Sequence, residues 1–258
     1  MPNQQTLQRW RSNVLKSRTY PITKKRDNQL TNPIIDGIIK AFQLLFSLDP
    51  TVYRIVFRSL YVSGLAVTIA TLWSLPIAAI LGLKNFRGKR FIRGSFNAFI
   101  GFPTVVLGLL LFLLFSRSGP LGAFGLLFTP LMISIGQAIL ITPILVSFIT
   151  SAVEAIDIDL RDLARTLGST EIQASIAILR EASGGVILAV LAAFNRAFAE
   201  LGVAMMVGGN IYGRTRLLTT AIALETNRGD IPFSIALGVI LLAIVYTLNI
   251  TINHLRRR

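Results

Sequence analysis

Two ionisable residues sit where charge is expensive: Arg196 and Glu200 lie four positions apart in an apolar run over 184–207, with Asn195 beside them. At the centre of a membrane-spanning helix each charge costs ~2.5–3.5 kcal/mol, and this spacing puts both on one face. The chemistry open to them is the handling of an anion. As an internal ion pair they only lower each other's cost. As part of a path, Arg196 with Asn195 would offer N–H donors to an oxyanion losing its water, while Glu200 compensates Arg196 and fixes its orientation. A pair that stabilises a gate lies between these two. His254 is the only histidine and cysteine is absent, which excludes a histidine zinc site, a Ser-His-Asp triad, thiolate chemistry and disulfides. Gly208-Gly-Asn-Ile-Tyr-Gly213-Arg214-Thr215 nearly fits a phosphate loop, with Arg for Lys, but it follows an apolar run and not a buried strand. It reads better as a re-entrant or partner-facing segment with flexible glycines. No catalytic residue, metal ligand or bound cofactor is expected.

The elements that must position these residues are set by composition. Of 258 residues, 53% are hydrophobic and 15% charged, against ~45–50% and ~25% in soluble domains, so the partner of this surface is the lipid bilayer. A formal charge of +14 could suggest nucleic acid, but the placement of the charges speaks against it. Seven basic residues fall in the first 30 positions, five in 84–93 and three at 256–258. They flank apolar runs and form no binding stripe.

Five runs reach the ~20 helical residues that a ~30 Å hydrocarbon core requires: 60–83, 95–116, 128–151, 184–207 and 231–253. The prolines and glycines inside them are tolerated in membranes. The fold class expected is an all-α integral membrane bundle of five transmembrane helices. Lys84, Arg87, Lys89, Arg90 and Arg93, with no acid among them, place the first loop in the cytoplasm. Alternation then puts 117–127 outside, 152–183 inside, 208–230 outside and the carboxyl terminus in the cytoplasm. Residues 1–32 read as a disordered basic arm, on the wrong side for the charge rule but too far from the first span to count strongly. Residues 33–49, with Ile34, Ile35, Ile38, Ile39, Phe42, Leu45 and Phe46 at helical spacing, read as an interfacial amphipathic helix. A sixth crossing by this segment, with the arm inside, is the alternative. Residues 50–258 form the transmembrane domain.

The inner loop over 152–183 carries six acids and three arginines. Leu160, Leu163, Ala164 and Leu167 form a helical stripe, and Gly168-Ser169 reads as a stop followed by a new cap, with Glu171 in the next first turn. Two short helices joined by a bend result. They suit either a cover for the end of the bundle or a docking surface for a partner protein.

Asp162-Leu-Ala164, three residues, Gly168, nine residues and Ile178 resembles the EAA signature of ATP-binding cassette importer permeases. Asp162 replaces the Glu, Leu163 stands in the alanine step, and Arg180-Glu181 stand where Leu-Pro is usual. A wider resemblance covers residue 33 to the end. Asp49-Pro50, Lys84-Asn-Phe-Arg-Gly88-Lys-Arg, Ser116-Arg-Ser-Gly-Pro-Leu-Gly122, Leu127-Phe-Thr-Pro130, and the blocks from Ala199-Glu200-Leu-Gly202 to Asn210 and from Thr215 to Thr226 look like the tungstate permeases, relatives of the molybdate and sulfate permeases. The resemblance implies a type I ABC importer permease with a cytoplasmic coupling helix. Asp162, Ala164, Leu167 and Gly168 would dock an ATPase subunit, which uses the ATP. Asn195, Arg196 and Glu200 would belong to the translocation pathway. It further implies a second copy of the chain, an extracytoplasmic oxyanion-binding protein, the inner membrane, and tungstate as cargo with molybdate or vanadate as alternatives. A secondary anion transporter would show repeated halves, and none are visible. A membrane enzyme lacks a constellation to work with.

Overall fold

The computed structural model describes residues 32–47, 49–156, 166 and 168–256. The expected basic arm, apart from Asn32, lies outside these. Every regular element among the described residues is helical.

Helix α1 (Pro33–Phe46) is followed by α2 (Pro50–Leu83). Asp49 starts α2 by accepting the N–H groups of Thr51 and Val52 at 2.8 and 3.1 Å, and Pro50 sits where a missing N–H costs nothing. The helix therefore begins ten residues before the apolar run expected over 60–83 and carries Arg54 and Arg58 on its first turns. Next come α3 (Lys89–Phe99) and α4 (Thr104–Phe115), bent by 98° at the break between them. The run 95–116 is thus not one straight crossing. Gly101 and Pro103 interrupt it, since Pro103 has no N–H to continue the ladder and drives Phe102 out of helical geometry. A 3-10 turn (Gly122–Phe124) leads to α5 (Pro130–Glu154), capped by Thr129, whose hydroxyl accepts the Met132 N–H at 3.2 Å.

Beyond the inner loop lie α6 (Glu171–Glu181) and α7 (Ser183–Phe198), bent by 61°, then α8 (Gly202–Gly208), α9 (Leu218–Arg228) and α10 (Ile231–Arg256). Three helices, α2, α5 and α10, are long and apolar enough to cross a membrane, and the expected five crossings are reached only if each bent pair counts as one. The run expected as a fourth span over 184–207 breaks at 199–201.

Helix α5 is the hub. Its Ala138, Ile141, Leu145 and Ile149 pack with Ala66, Val67 and Ala70 of α2 and with Ala189, Ala193 and Ala197 of α7. Small residues let the backbones close, and Ser134 donates to the Val62 carbonyl at 3.0 Å across the seam. Large apolar side chains such as Phe57, Leu72, Leu242 and Tyr246 stay exposed on the outer faces, as lipid contact requires.

Helix α1 packs through its narrow face. Its narrow side, Gly37 and buried Ala41, is seated on α10; a Cβ on Gly37 would stand 2.5 Å from that of Ile235. Lys40 adds an ion pair to Asp230 at 3.4 Å and lies over the Phe233 ring. The wide stripe of Ile34, Ile35, Ile38, Ile39, Phe42 and Phe46 remains exposed. At 14 residues, about 21 Å, the helix falls short of a crossing.

At the opposite end of the bundle, Lys89 and Arg93 of α3 both engage Glu154 at the end of α5, the lysine at 3.0 Å. These groups are partly exposed, so each pair contributes up to ~1 kcal/mol. Glu154→Gln is expected to lower thermal stability by about 1 kcal/mol. It should also speed amide hydrogen exchange across Lys89–Phe99 more than elsewhere, and an unchanged exchange pattern there would refute the clamp.

Candidate functional site

The break at 199–201 arranges the intramembrane charges. Arg196 lies in the last turn of α7, and its guanidinium reaches Glu200 Oε2 at 2.5 Å. Glu200 lies past the end of that helix, not one turn along it as the run 184–207 implied. Its second oxygen accepts the Val203 N–H at 3.1 Å and so starts α8, while its carbonyl accepts the Thr219 hydroxyl at 2.9 Å. The two partners are unequal: the Glu200 side chain is 2% exposed and that of Arg196 35%. The carboxylate is consumed inside the protein, and only the cation keeps a free side.

Asn195 has a different partner from Arg196. Its amide exchanges two hydrogen bonds with Asn249 of α10, at 2.9 and 3.2 Å, and Asn249 also donates to the Val245 carbonyl at 2.7 Å. It ties α7 to α10. Asn249 passed unnoticed in the sequence because a single amide in a long apolar run carries no pattern.

Helix α8 is wedged between α4 and α5. A Cβ on Gly202 would meet Thr104 Oγ1 at 2.5 Å, and one on Gly136 would meet Val203 Cγ1 at 2.5 Å. The segment after α8 is locked. Gly209, at φ +67°, and Asn210, at φ +49°, turn the chain in left-handed geometry, which glycine and asparagine tolerate best. Thr215 donates to the Gly208 carbonyl at 2.6 Å and accepts the Ile211 N–H at 2.9 Å. The glycines are thus packing and turning positions. Arg58 of α2 braces the turn by donating to the carbonyls of Gly213, at 2.7 Å, and Arg216, at 3.2 Å. Sequence reasoning did not single out Arg54 or Arg58; their spacing of four, which puts both on one face of a helix, was the one available signal.

Of the four candidate docking residues in the inner loop, Asp162, Ala164 and Leu167 lie outside the described residues. Gly168 stands at φ +85° with open space where a Cβ would be, so it can make the expected bend. The new cap is Thr170 and not Ser169: Thr170 accepts the Gln173 N–H at 3.3 Å and Gln173 returns a bond at 2.9 Å. Helix α6 buries Ala174 and Ile178 and presents Ile172, 72% exposed, and Ile176.

Long apolar helices around a buried hub, lipid-type outer faces and an internal ion pair define a multi-pass membrane protein. Residues 74–258 match the family described as binding-protein-dependent transport system inner membrane component. The chain is 39% identical over 223 residues to the tungstate uptake system permease protein TupB of Peptoclostridium acidaminophilum, covering 86% of this chain and 98% of that one. It is 45% identical over 196 residues to a probable anion ABC transporter permease protein of Haloferax volcanii, covering 74% and 84%. It is 38% identical over 224 residues to the TupB of Campylobacter jejuni, covering 87% and 94%. The fold is also similar to a chain of the MetNI methionine ABC transporter, solved in inward-facing conformations, with TM-score 0.68 and 18% identity over 82% of this chain and 97% of that one. This chain belongs to the binding-protein-dependent inner membrane component family. It is a permease subunit of an ATP-binding cassette importer and not an enzyme.

Proposed function

We propose that the chain carries an oxyanion, tungstate in the first place, into the cytoplasm. The observation that carries this is the likeness to two tungstate uptake permeases over nearly their whole lengths. Two copies form the pathway. A binding protein delivers the anion from outside, and an ATPase subunit docks against each inner loop at 152–183, with Asp162, Ala164, Leu167 and Gly168 at the contact and Ile172 and Ile176 of α6 beside it. The 84–88 loop and the carboxyl terminus then face the cytoplasm, as their basic residues favour.

ATP binding draws the two ATPases together, the docked loops move, and the bundles switch access from outside to inside; hydrolysis resets them. Arg196 is the group in this bundle suited to an anion in transit. Its partner carboxylate is turned inward, so the path meets a donor without meeting a repelling charge. Asn195 contributes by holding α7 against α10.

The test is elemental mass spectrometry of tungsten, molybdenum and vanadium in cells with and without this chain at trace supply of all three. Selective loss of tungsten is expected. Selective loss of molybdenum or vanadium would reassign the cargo within the same permease type, and no change in any of them would sink the oxyanion reading.

A further inference from the structure

Three arginines converge at the end of the bundle that holds the start of α2. Arg54 and Arg58 stand on successive turns of that helix, and Arg216 comes from the turn after α8. With Thr51, Ile55, Tyr212 and Gly213 they line a small cleft of about 30 Å³. That is room for about one or two waters or one oxygen of an anion, whose remaining oxygens would stay in the open mouth.

The cleft is built before anything enters it. Arg58 spends two terminal nitrogens on the carbonyls of Gly213 and Arg216. The Arg216 guanidinium lies against the Tyr212 ring, 5.2 Å from its centroid, and its Nε donates to Asn210 at 3.3 Å. Arg54 is steadied by its Nε, which donates to the Pro50 carbonyl at 3.1 Å. The terminal nitrogens of Arg54 and Arg216 are left over as donors.

No carboxylate among the described residues forms an ion pair with Arg54, Arg58 or Arg216. Glu225, the acid close enough to influence Arg216, is already held by Arg228 at 3.0 Å. Burial pushes the Arg216 guanidinium below its ordinary value and Arg228 pushes the same way, while Glu225 and Tyr212 oppose them and Arg58 adds a little more, and the arginine stays charged throughout. Three like charges thus gather with no ion-paired carboxylate among the described residues. Fixed donors and uncompensated positive potential in a cleft are the requirements for a tetrahedral oxyanion.

We propose that this cleft, between the start of α2 and the 209–217 turn, is a receiving site that takes the oxyanion at the outer mouth of the permease. That placement rests on the function and orientation proposed above. Such a site would raise the local concentration of the anion at the pathway entrance after release from the binding protein.

The test is calorimetric titration of sodium tungstate into the purified full chain in lipid nanodiscs at low salt, with sodium chloride as control. Saturable binding is expected for the parent chain. Arg54→Gln and Arg216→Gln are each expected to weaken it about tenfold, the scale of one lost charge-assisted hydrogen bond. Arg216→Lys should retain part of the affinity, and Arg117→Gln, outside the cleft, should retain all of it. Arg58 is left intact because it braces the turn, and circular dichroism checks the helix content of each variant.

Absence of saturable binding, or equal binding by all variants, overturns the proposal. So does a result in which tungstate does not bind the chain but Arg54→Gln and Arg216→Gln release the binding protein from it; the arginines then meet that partner's carboxylates. The two readings fail separately. If uptake of all three metals is indifferent to the chain yet tungstate binds in an arginine-dependent way, the site stands and the transport assignment falls. If uptake depends on the chain and no binding is found, the reverse holds.

Discussion

Arg196→Met is expected to destabilise the chain by about 3–5 kcal/mol, the usual cost of leaving one partner of a buried ion pair alone. Glu200 would keep its bond from the Val203 N–H, but its other oxygen would face a 2% exposed site with no cation. Thermal unfolding of the purified chain in detergent reads this directly. Adding Glu200→Gln should recover most of the loss, because the amide is neutral and its oxygen can still accept from Val203. The double variant then separates structure from transport. If it is as stable as the parent but imports no tungsten, Arg196 acts on the anion. If it imports normally, Arg196 serves the fold alone and leaves the mechanism.

The second large effect is steric. Gly136 of α5 faces Val203 and Leu111, with a hypothetical Cβ at 2.5 Å from one and 3.1 Å from the other. Gly136→Leu is expected to unseat α8 and to cost at least the ~1–3 kcal/mol typical of overpacking. Val203→Ala on that background removes the nearer methyl groups and should return part of the loss. Unfolding temperatures of the four proteins in this cycle give the coupling between the two sites. Strict additivity would mean that α8 is not held by the Gly136 contact. Because α8 begins at the carboxylate of Glu200, the same change should also disturb the Arg196 pair.

Several elements were legible from residue types. Asp49-Pro50 and Thr129-Pro130 announce helix starts, because a short side-chain acceptor before a proline satisfies the first N–H groups and wastes none. The runs 128–151 and 231–253 became α5 and α10 nearly as expected. Gly168 reads as a bend, and its backbone has the left-handed geometry that such a position uses. The uncharged run begins only at Leu60, so hydropathy alone leaves out the first ten residues of α2, which hold Arg54 and Arg58. Hydropathy cannot know that Arg58 finds two carbonyls 155 and 158 residues away.

Prolines show the same limit. Pro76 and Pro143 remain inside α2 and α5, whereas Pro103 coincides with a 98° bend between α3 and α4. The residue is identical in each case, but Pro103 follows Gly101 at the break, whereas no glycine stands within five residues of Pro76 or Pro143.

Composition alone determined that this chain belongs in a membrane, since its apolar fraction and the scarcity of charge in its long runs leave no other solvent for that surface. Charge placement also spoke against nucleic acid as its partner, and the absence of cysteine excluded thiolate chemistry. Tertiary structure decided which charge is hidden. Arg196 and Glu200 look equivalent as two letters four apart, yet the break at 199–201 turns Glu200 inward onto the Val203 N–H and leaves Arg196 half exposed. Packing chose the smaller ion for burial because the start of α8 supplied it with a second donor, and no local pattern in the sequence records where that donor would be.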